Sequence, residues 1–309
     1  MEQLQYREGD AVSGYWAVEP DLQTITAEKF VQAYEDSKTL EGAIFDREGN
    51  LYFTSTMGFT IFKVDMKTKE TKVFWHEEGV RPAAVKIHKD GRLFAACVTN
   101  ETFGGVFCID PDGSNMRWIL RGYSVDDLVF DKDGGFYFTD FIGSFRDRLG
   151  GVYYVNPDMN KITRFCGDMC QPNGIALSKD GTILWVTEFQ AQRLHRFNIA
   201  TGRASIPYHF TGFAGPDSCS IDNDDNLYVA LPDQGRIMVF NHYGSPIAQI
   251  VMPGREKGHN LFTTHPMCRP GKKEVYITCK DTAKENNEGS CVFVAGSFAE
   301  GNETMYQFT

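Results

Sequence analysis

Four residues with hard oxygen donors stand at the head of short apolar runs: Glu41 in "EGAIF", Asp126 in "DDLVF", Asn173 in "NGIAL" and Asp217 in "DSCSI". Each lies five residues before the first residue of a polar turn, and Ala83 and His265 take the same place in two further runs. Three carboxylates and an amide gathered at one point would bind a divalent cation. Without a cation the carboxylates would repel one another, and at least one would keep its proton. Calcium takes six to eight oxygens and magnesium six, often including water. An oxygen-only shell favours calcium, magnesium or manganese over zinc. Asp or Asn at a strand start also serves ordinary turn chemistry. It is the shared register of four donors in four separate segments that points to one metal ion.

Side chains so far apart in the chain meet only if a repeated element carries each of them to a common axis. The turns do recur: "DREGNLYFTS" from Asp46, "HKDGRLFAAC" from His88, "DKDGGFYFTD" from Asp131, "SKDGTILWVTE" from Ser178, "DNDDNLYVAL" from Asp222 and "PGKKEVYITC" from Pro270. A second run follows each after a loop: "IFKVD", "VFCID", "VYYVN", "LHRFN", "IMVFN" and "CVFVA". Six copies at a spacing of 42 to 48 residues, built from β-branched and aromatic runs bounded by Gly, Asp and Asn, describe an all-β chain. A repeat of four short strands at this period is a propeller blade. The expected architecture is therefore a six-bladed β-propeller, one domain over residues 1–309, with a central metal site. The stretch "EKFVQAYED", Glu28 to Asp36, is expected to close the last blade. An array of β-sandwiches is the runner-up, and the even spacing counts against it. The triplet Asp222, Asp224 and Asp225 falls in a repeat turn. An EF-hand loop needs Gly where Leu227 stands, and no Glu follows at the required distance, so a hairpin turn is expected there.

Composition narrows the field. A formal net charge of −10, spread along the chain, argues against nucleic acid as a partner. No run approaches the roughly 18 apolar residues of a membrane span, and "MEQLQYREGD" lacks the apolar segment of a signal peptide. The eight cysteines fall largely in apolar strand patterns and read as reduced thiols of a cytoplasmic protein. Cys166 and Cys170 have a loose metal-like spacing but no second pair nearby.

If each inner strand runs from the donor-bearing mouth down to its turn, the next strand returns to that mouth. The loops after it then rim a pocket, and Phe103, Phe141 and Phe189 are candidate wall residues. His265 is a candidate substrate contact. There is no G-x-S-x-G elbow and no phosphate-binding glycine loop. A hard cation with carboxylates beside it can polarise a carbonyl and acidify water, and a neighbouring carboxylate can carry a proton. Hydrolysis of an activated ester suits that arrangement.

The stretches "LEG", "VDDLVFD", "PNGIAL" and "GPDSCSIDNDDNLYVA" resemble the senescence-marker-protein/gluconolactonase family, and most closely its drug-responsive lactonase branch. "LQTITAE", "IHKDGRLF", "GGFYFTDF", "LGGVYYV", "LWVTE" and "RLHR" extend the resemblance from about Leu22 to the C-terminus. It implies a six-bladed propeller that opens small lactones with one divalent cation, calcium in that branch. It implies Glu41, Asp126, Asn173, Asp217 and Ser218 as the metal-holding set, Ser218 on this ground alone, with Asp217 also moving a proton. Thr102 and Gly104 fall at two positions of a second, structural calcium in the branch. The segment "LRGYSVDD" is shorter than the branch pattern, so one metal is expected. A hydrolase of phosphotriesters, a metal-binding sensor and a protein-binding platform are the competing readings. Met57 and the three phenylalanines favour a small, less polar lactone.

Overall fold

Every blade begins with an apolar inner strand, because strands facing a central axis are covered on both sides and read as continuous hydrophobic runs. The computed structural model describes residues 1–6, 22–98 and 104–302. The six inner strands are Leu40–Phe45, Pro82–Ile87, Val125–Phe130, Pro172–Leu177, Cys219–Ile221 and Phe262–Cys268. Each pairs antiparallel with a second strand: Leu51–Ser55, Leu93–Cys97, Phe136–Asp140, Ile183–Glu188, Leu227–Leu231 and Glu274–Lys280. Two further strands complete each sheet, and the whole is an all-β six-bladed propeller.

The N-terminal chain is shared between the last two blades. Gln23–Thr26 adds a fifth strand, parallel to Pro246–Val251, to the fifth blade. Glu28–Tyr34 supplies the outermost strand of the sixth, antiparallel to Ser290–Gly296. A strand from one end of the chain is thus hydrogen-bonded into a sheet made by the other end. That removes an open seam that would otherwise expose unpaired strand edges.

The core lies between blades. One buried cluster joins Ala84, Phe94 and Val106 of the second blade to Val125, Leu128, Phe136 and Phe138 of the third. Phe130 meets Phe94 edge-on at a centroid distance of 5.1 Å. The eight cysteines are free. Among the described residues no helix is long and apolar enough to cross a membrane.

The aspartate-rich turn of the fifth blade is a structural knot. Asp222 is fully buried, and its Oδ1 accepts the N–H groups of Asp224 and Asn226, both at 3.0 Å. Its Oδ2 accepts the Tyr228 hydroxyl at 3.0 Å and the Ala299 N–H at 3.3 Å. One carboxylate therefore ties the turn to the C-terminal segment. Asp222→Ala would orphan several buried donors at once, each costing about 1–3 kcal/mol. We expect a loss of at least about 3 kcal/mol in urea unfolding, with turnover unchanged in protein that remains folded.

Candidate functional site

Each inner strand carries a β-bulge at its first residues, and the bulge decides where the donors point. Register slips between Glu41 and Ile44, Pro82 and Ala84, Val125 and Leu128, Pro172 and Ile175, and Thr263 and His265. In the fifth blade Asp217 N–H donates to Ala230 O while Ala230 N–H donates to Ser218 O, so two residues oppose one. Bulges re-aim side chains at sheet ends. Here they set Glu41, Asp126, Asn173 and Asp217 at one level, with Ala83 making no donor in the second blade.

The sixth blade corrects the count made from sequence. Its turn starts at Arg269, whose N–H donates to Glu274 O, where the first blade has Asp46 N–H to Asn50 O. The turn is one residue longer, so the residue in register is Thr264 and not His265. His265 stands one place further on, level with Asp127 and Ser218. It is fully buried, and neither ring nitrogen has a hydrogen-bond partner. Burial, aided by Lys86, drives its pKa well down and keeps the ring neutral.

The carboxylates of three blades act on one another. Burial pushes Glu41 well above the ordinary carboxylate range, and Asp217, Asp126 and Asp127 push it further; Lys280 offsets part of this. Glu41 keeps some accessible surface, as a residue at a channel mouth does, although protein crowds its carboxyl. Asp126 is raised in the same way, by burial and then by Asp217 and Asp127. Asp217 is raised to about 7, chiefly by burial, against a hydrogen bond from Asn173 and one from the Ser218 N–H. The Ser218 hydroxyl lies 3.5 Å from Asn173 Oδ1. Glu41, Asp126, Asn173, Asp217 and Ser218 are thus neighbours around the axis. Among the described residues, no three carboxylate, imidazole or thiol groups stand close enough to hold an ion between them as they are.

The donor set nonetheless fits a hard cation. Glu41 and Asp126 are raised by burial and then by like charge, and the buried Lys86 ammonium beneath them is already committed. Lys86 Nζ lies 2.9 Å from Asp127 Oδ1, both side chains being buried. The net negative charge left at the mouth is what a divalent ion neutralises.

Glycine follows two of the donors for a steric reason. A Cβ on Gly174 would stand 2.7 Å from Ser218 Cα and 2.6 Å from Cys219 N of the next inner strand. Gly42 lies equally hard against Ala83 and Ala84. Acidic residues at the tops of second strands, which the sequence reading did not single out, anchor the chain entering three of the inner strands. Asp140 accepts Ser124 N–H at 2.8 Å, Glu188 accepts Cys170 N–H at 2.7 Å, and Asp281 accepts Asn260 N–H at 3.0 Å. Burial raises Asp140 to about 6. Glu188 is lowered: burial pushes it up, but the His195 contact at 2.7 Å and the Cys170 N–H outweigh that.

Around the mouth, Phe141 and Phe189 meet edge-on at 6.0 Å. Phe103 and Thr102 lie outside the described residues. Met57 is exposed, and so is Phe213. Phe213 sits on a connection from a fourth strand to the next inner strand, a class of mouth loop that the sequence reading passed over. A cavity of about 550 Å³ opens at the other end of the channel. It is lined by Lys86, Phe130, Leu177, Ile221 and Met267 together with turn residues such as Lys132 and Lys179. The donors do not reach it, so we assign it no part in their chemistry.

A propeller with buried carboxylates from several blades at one mouth is a familiar scaffold for hydrolases and binding proteins alike. Residues 40–280 match the family model described as SMP-30/Gluconolactonase/LRE-like region, and the chain belongs to this family. It is 46% identical over 318 residues to a protein named lactonase drp35 from Staphylococcus saprophyticus, covering 99% of this chain and 97% of that one. It is 45% identical over 302 residues to lactonase drp35 of Staphylococcus aureus, covering 94% and 92%. Among solved structures, a calcium-binding protein, regucalcin, from Agrobacterium tumefaciens superposes with a TM-score of 0.72 at 18% identity, covering 91% of this chain and 98% of that one, which shows the shared fold.

Gly174→Ala should therefore force the fourth and fifth inner strands apart. We expect a destabilisation of about 2–4 kcal/mol, read by thermal unfolding. An equally stable variant would contradict the close approach described.

Proposed function

We propose that this chain is a lactonase, a carboxylic ester hydrolase that depends on one divalent cation, with calcium favoured and magnesium or manganese also suited to the donors. The observation that carries the reading is that Glu41 and Asp126, from two blades, are raised by burial and then by the charge of Asp217 from a third, with Asn173 hydrogen-bonded to Asp217. The near-full-length relatives named as lactonases support it. Glu41, Asp126, Asn173 and Asp217 would hold the ion, with Ser218 beside them. When bound, the ion supplies Lewis-acid polarisation of the substrate carbonyl and makes nearby water more acidic.

The remaining work belongs to the protein. We assign proton transfer to Asp217, a carboxylate that burial raises to about 7 without a cation and that a bound cation would lower, so it would carry the proton as its hold on the ion loosens. It accepts a proton from the attacking water as the water oxygen bonds to the carbonyl carbon. It returns that proton to the ring oxygen as the acyl carbon–oxygen bond breaks, leaving a hydroxy acid. The hydrogen bonds from Asn173 and the Ser218 N–H hold the carboxylate in place through both transfers. Phe141 and Phe189 would wall a small and weakly polar lactone. His265 has two unused ring nitrogens, which its full burial leaves to an internal water rather than to substrate.

A pH-indicator assay over a panel of lactones tests this. Chelator should abolish turnover, and calcium, magnesium or manganese should restore it. Undiminished hydrolysis after exhaustive chelation would end the metal reading. Asp217→Asn should lower kcat by about 10²–10⁴ while a divalent cation still binds; turnover near that of the wild type would remove the proton role.

Acidity gives a second readout. A carboxyl raised from about 4 in the unfolded chain to about 7 in the folded one contributes stability that is full below the lower value. That contribution is lost as pH rises through the higher one. The cation-free protein should therefore lose this contribution toward neutral pH, where cation binding replaces protons. The rise in Tm produced by saturating calcium should grow between about pH 5 and about pH 8. A calcium effect independent of pH would count against the raised carboxylates.

A further inference from the structure

A closed circuit of polar links joins the six blades near their inner strands. Thr54 Oγ1 donates to Ala83 O at 3.2 Å, and Lys86 bridges to Asp127. Thr139 Oγ1 donates to Asn173 O at 2.6 Å, and Thr187 Oγ1 to Asp217 O at 2.7 Å. Ser218 N–H donates to Thr264 O at 3.1 Å, and Thr264 Oγ1 to Leu40 O at 2.6 Å, which returns the circuit to the first blade.

Two of these links end on residues of the donor set, and both are made by a fully buried hydroxyl with a second duty. Thr187 Oγ1 also accepts Gly174 N–H at 2.8 Å. One oxygen thus binds the residue after Asn173 and the peptide of Asp217 across the seam between the fourth and fifth blades. Thr139 Oγ1 accepts Asp127 N–H at 3.2 Å while donating to Asn173 O, so it couples the residue after Asp126 to Asn173 across the previous seam. A hydroxyl has a single proton to give, so accepting from one strand and donating to the next sets the distance and angle between them. The fold itself does not demand the hydroxyl. Ala96 and Ala230 occupy the corresponding places in the second and fifth blades, whose seams are bridged by other groups. Thr54 makes the same kind of bond, but to Ala83, which brings no donor side chain.

We propose that Thr139 and Thr187 are positioning residues for the cation site, holding Asp126, Asn173 and Asp217 in mutual register from behind. This rests on the metal reading above. Thr54 pairs with Glu41 in its own sheet, but its hydroxyl bond ends on Ala83, which brings no donor side chain, so Thr54→Val isolates a bond of this kind that does not end on a donor residue.

The test is calorimetric titration of cation-free protein with calcium chloride, well below the unfolding temperature, for wild type, Thr187→Val, Thr187→Ser, Thr139→Val and Thr54→Val. The two valine variants at Thr187 and Thr139 should weaken calcium about 10- to 100-fold, the range seen when groups behind metal ligands are removed. Thr187→Ser keeps the hydroxyl and should stay within about threefold of wild type. Thr54→Val should lower Tm by a comparable few degrees, about 2–4 °C, and leave calcium affinity within about threefold. Wild-type affinity in Thr187→Val, or an equal loss in Thr54→Val, would overturn the proposal. Thr139→Val decides the matter if Thr187→Val does not fold. A wild-type protein that takes up neither calcium, magnesium nor manganese would bring down the metal reading, and this inference with it.

Discussion

Carboxylates from separate blades are held against one another in a buried channel, and the rest of the structure serves that unfavourable arrangement. Isolated, each would be solvated and ionised. Here burial and like charge raise Glu41, Asp126 and Asp217 together. Such a cluster persists only if the scaffold is stiff enough to refuse the relaxation that would separate the charges. Between-blade aromatic packing supplies bulk rigidity. The circuit of buried hydroxyl, amide and ammonium links supplies the local kind, at the level where the donors sit. A bistable or loosely packed channel could not store this repulsion and present it to a ligand.

The second blade shows how the design is asymmetric. Ala83 stands where the other blades offer oxygen, and the same strand sends Lys86 inward three residues later to meet Asp127. The ammonium neutralises the one carboxylate that lies below the donor level. Taking two charges out of water is costly unless geometry is good and the remaining lone pairs are used. Asp127 meets both conditions, since its carboxylate also accepts the N–H groups of Leu128 and Ile175. The acidic groups left without a cationic partner are thereby those on the mouth side.

Much of this was legible in the sequence because a propeller writes its register repeatedly. The six turns set the period, and the residues five places upstream of five of them fall at one level in the structure. The sixth failed for a local reason: the turn from Arg269 to Glu274 carries one residue more than the first-blade turn, and counting from Pro270 moved the reading from Thr264 to His265. The links from Thr54, Thr139 and Thr187 were written as well, in "LYFTS", "FYFTD" and "LWVTE", each at the fourth position. Their meaning was hidden because a threonine in a strand needs no explanation beyond its β-propensity. The acids that follow in "FTD" and "VTE" were equally plain, yet only the fold shows that Asp140 and Glu188 hold entry loops and not ligands. Phe213 was missed because attention fell on one of the two sets of loops that reach the mouth.

The shared N-terminal strands have a consequence for biosynthesis. Chain emerging from a ribosome can pair the first four blades one after another, but Leu40 waits for Thr264 and Glu28–Tyr34 waits for Ser290–Gly296. The acidic mouth needs Asp217 beside Glu41, so it cannot assemble until most of the polypeptide has been made. Long-range closure of this kind is slow relative to local pairing. During translation the early blades therefore carry their acidic residues in open, solvated form, and the repulsion arises only when the circle is completed.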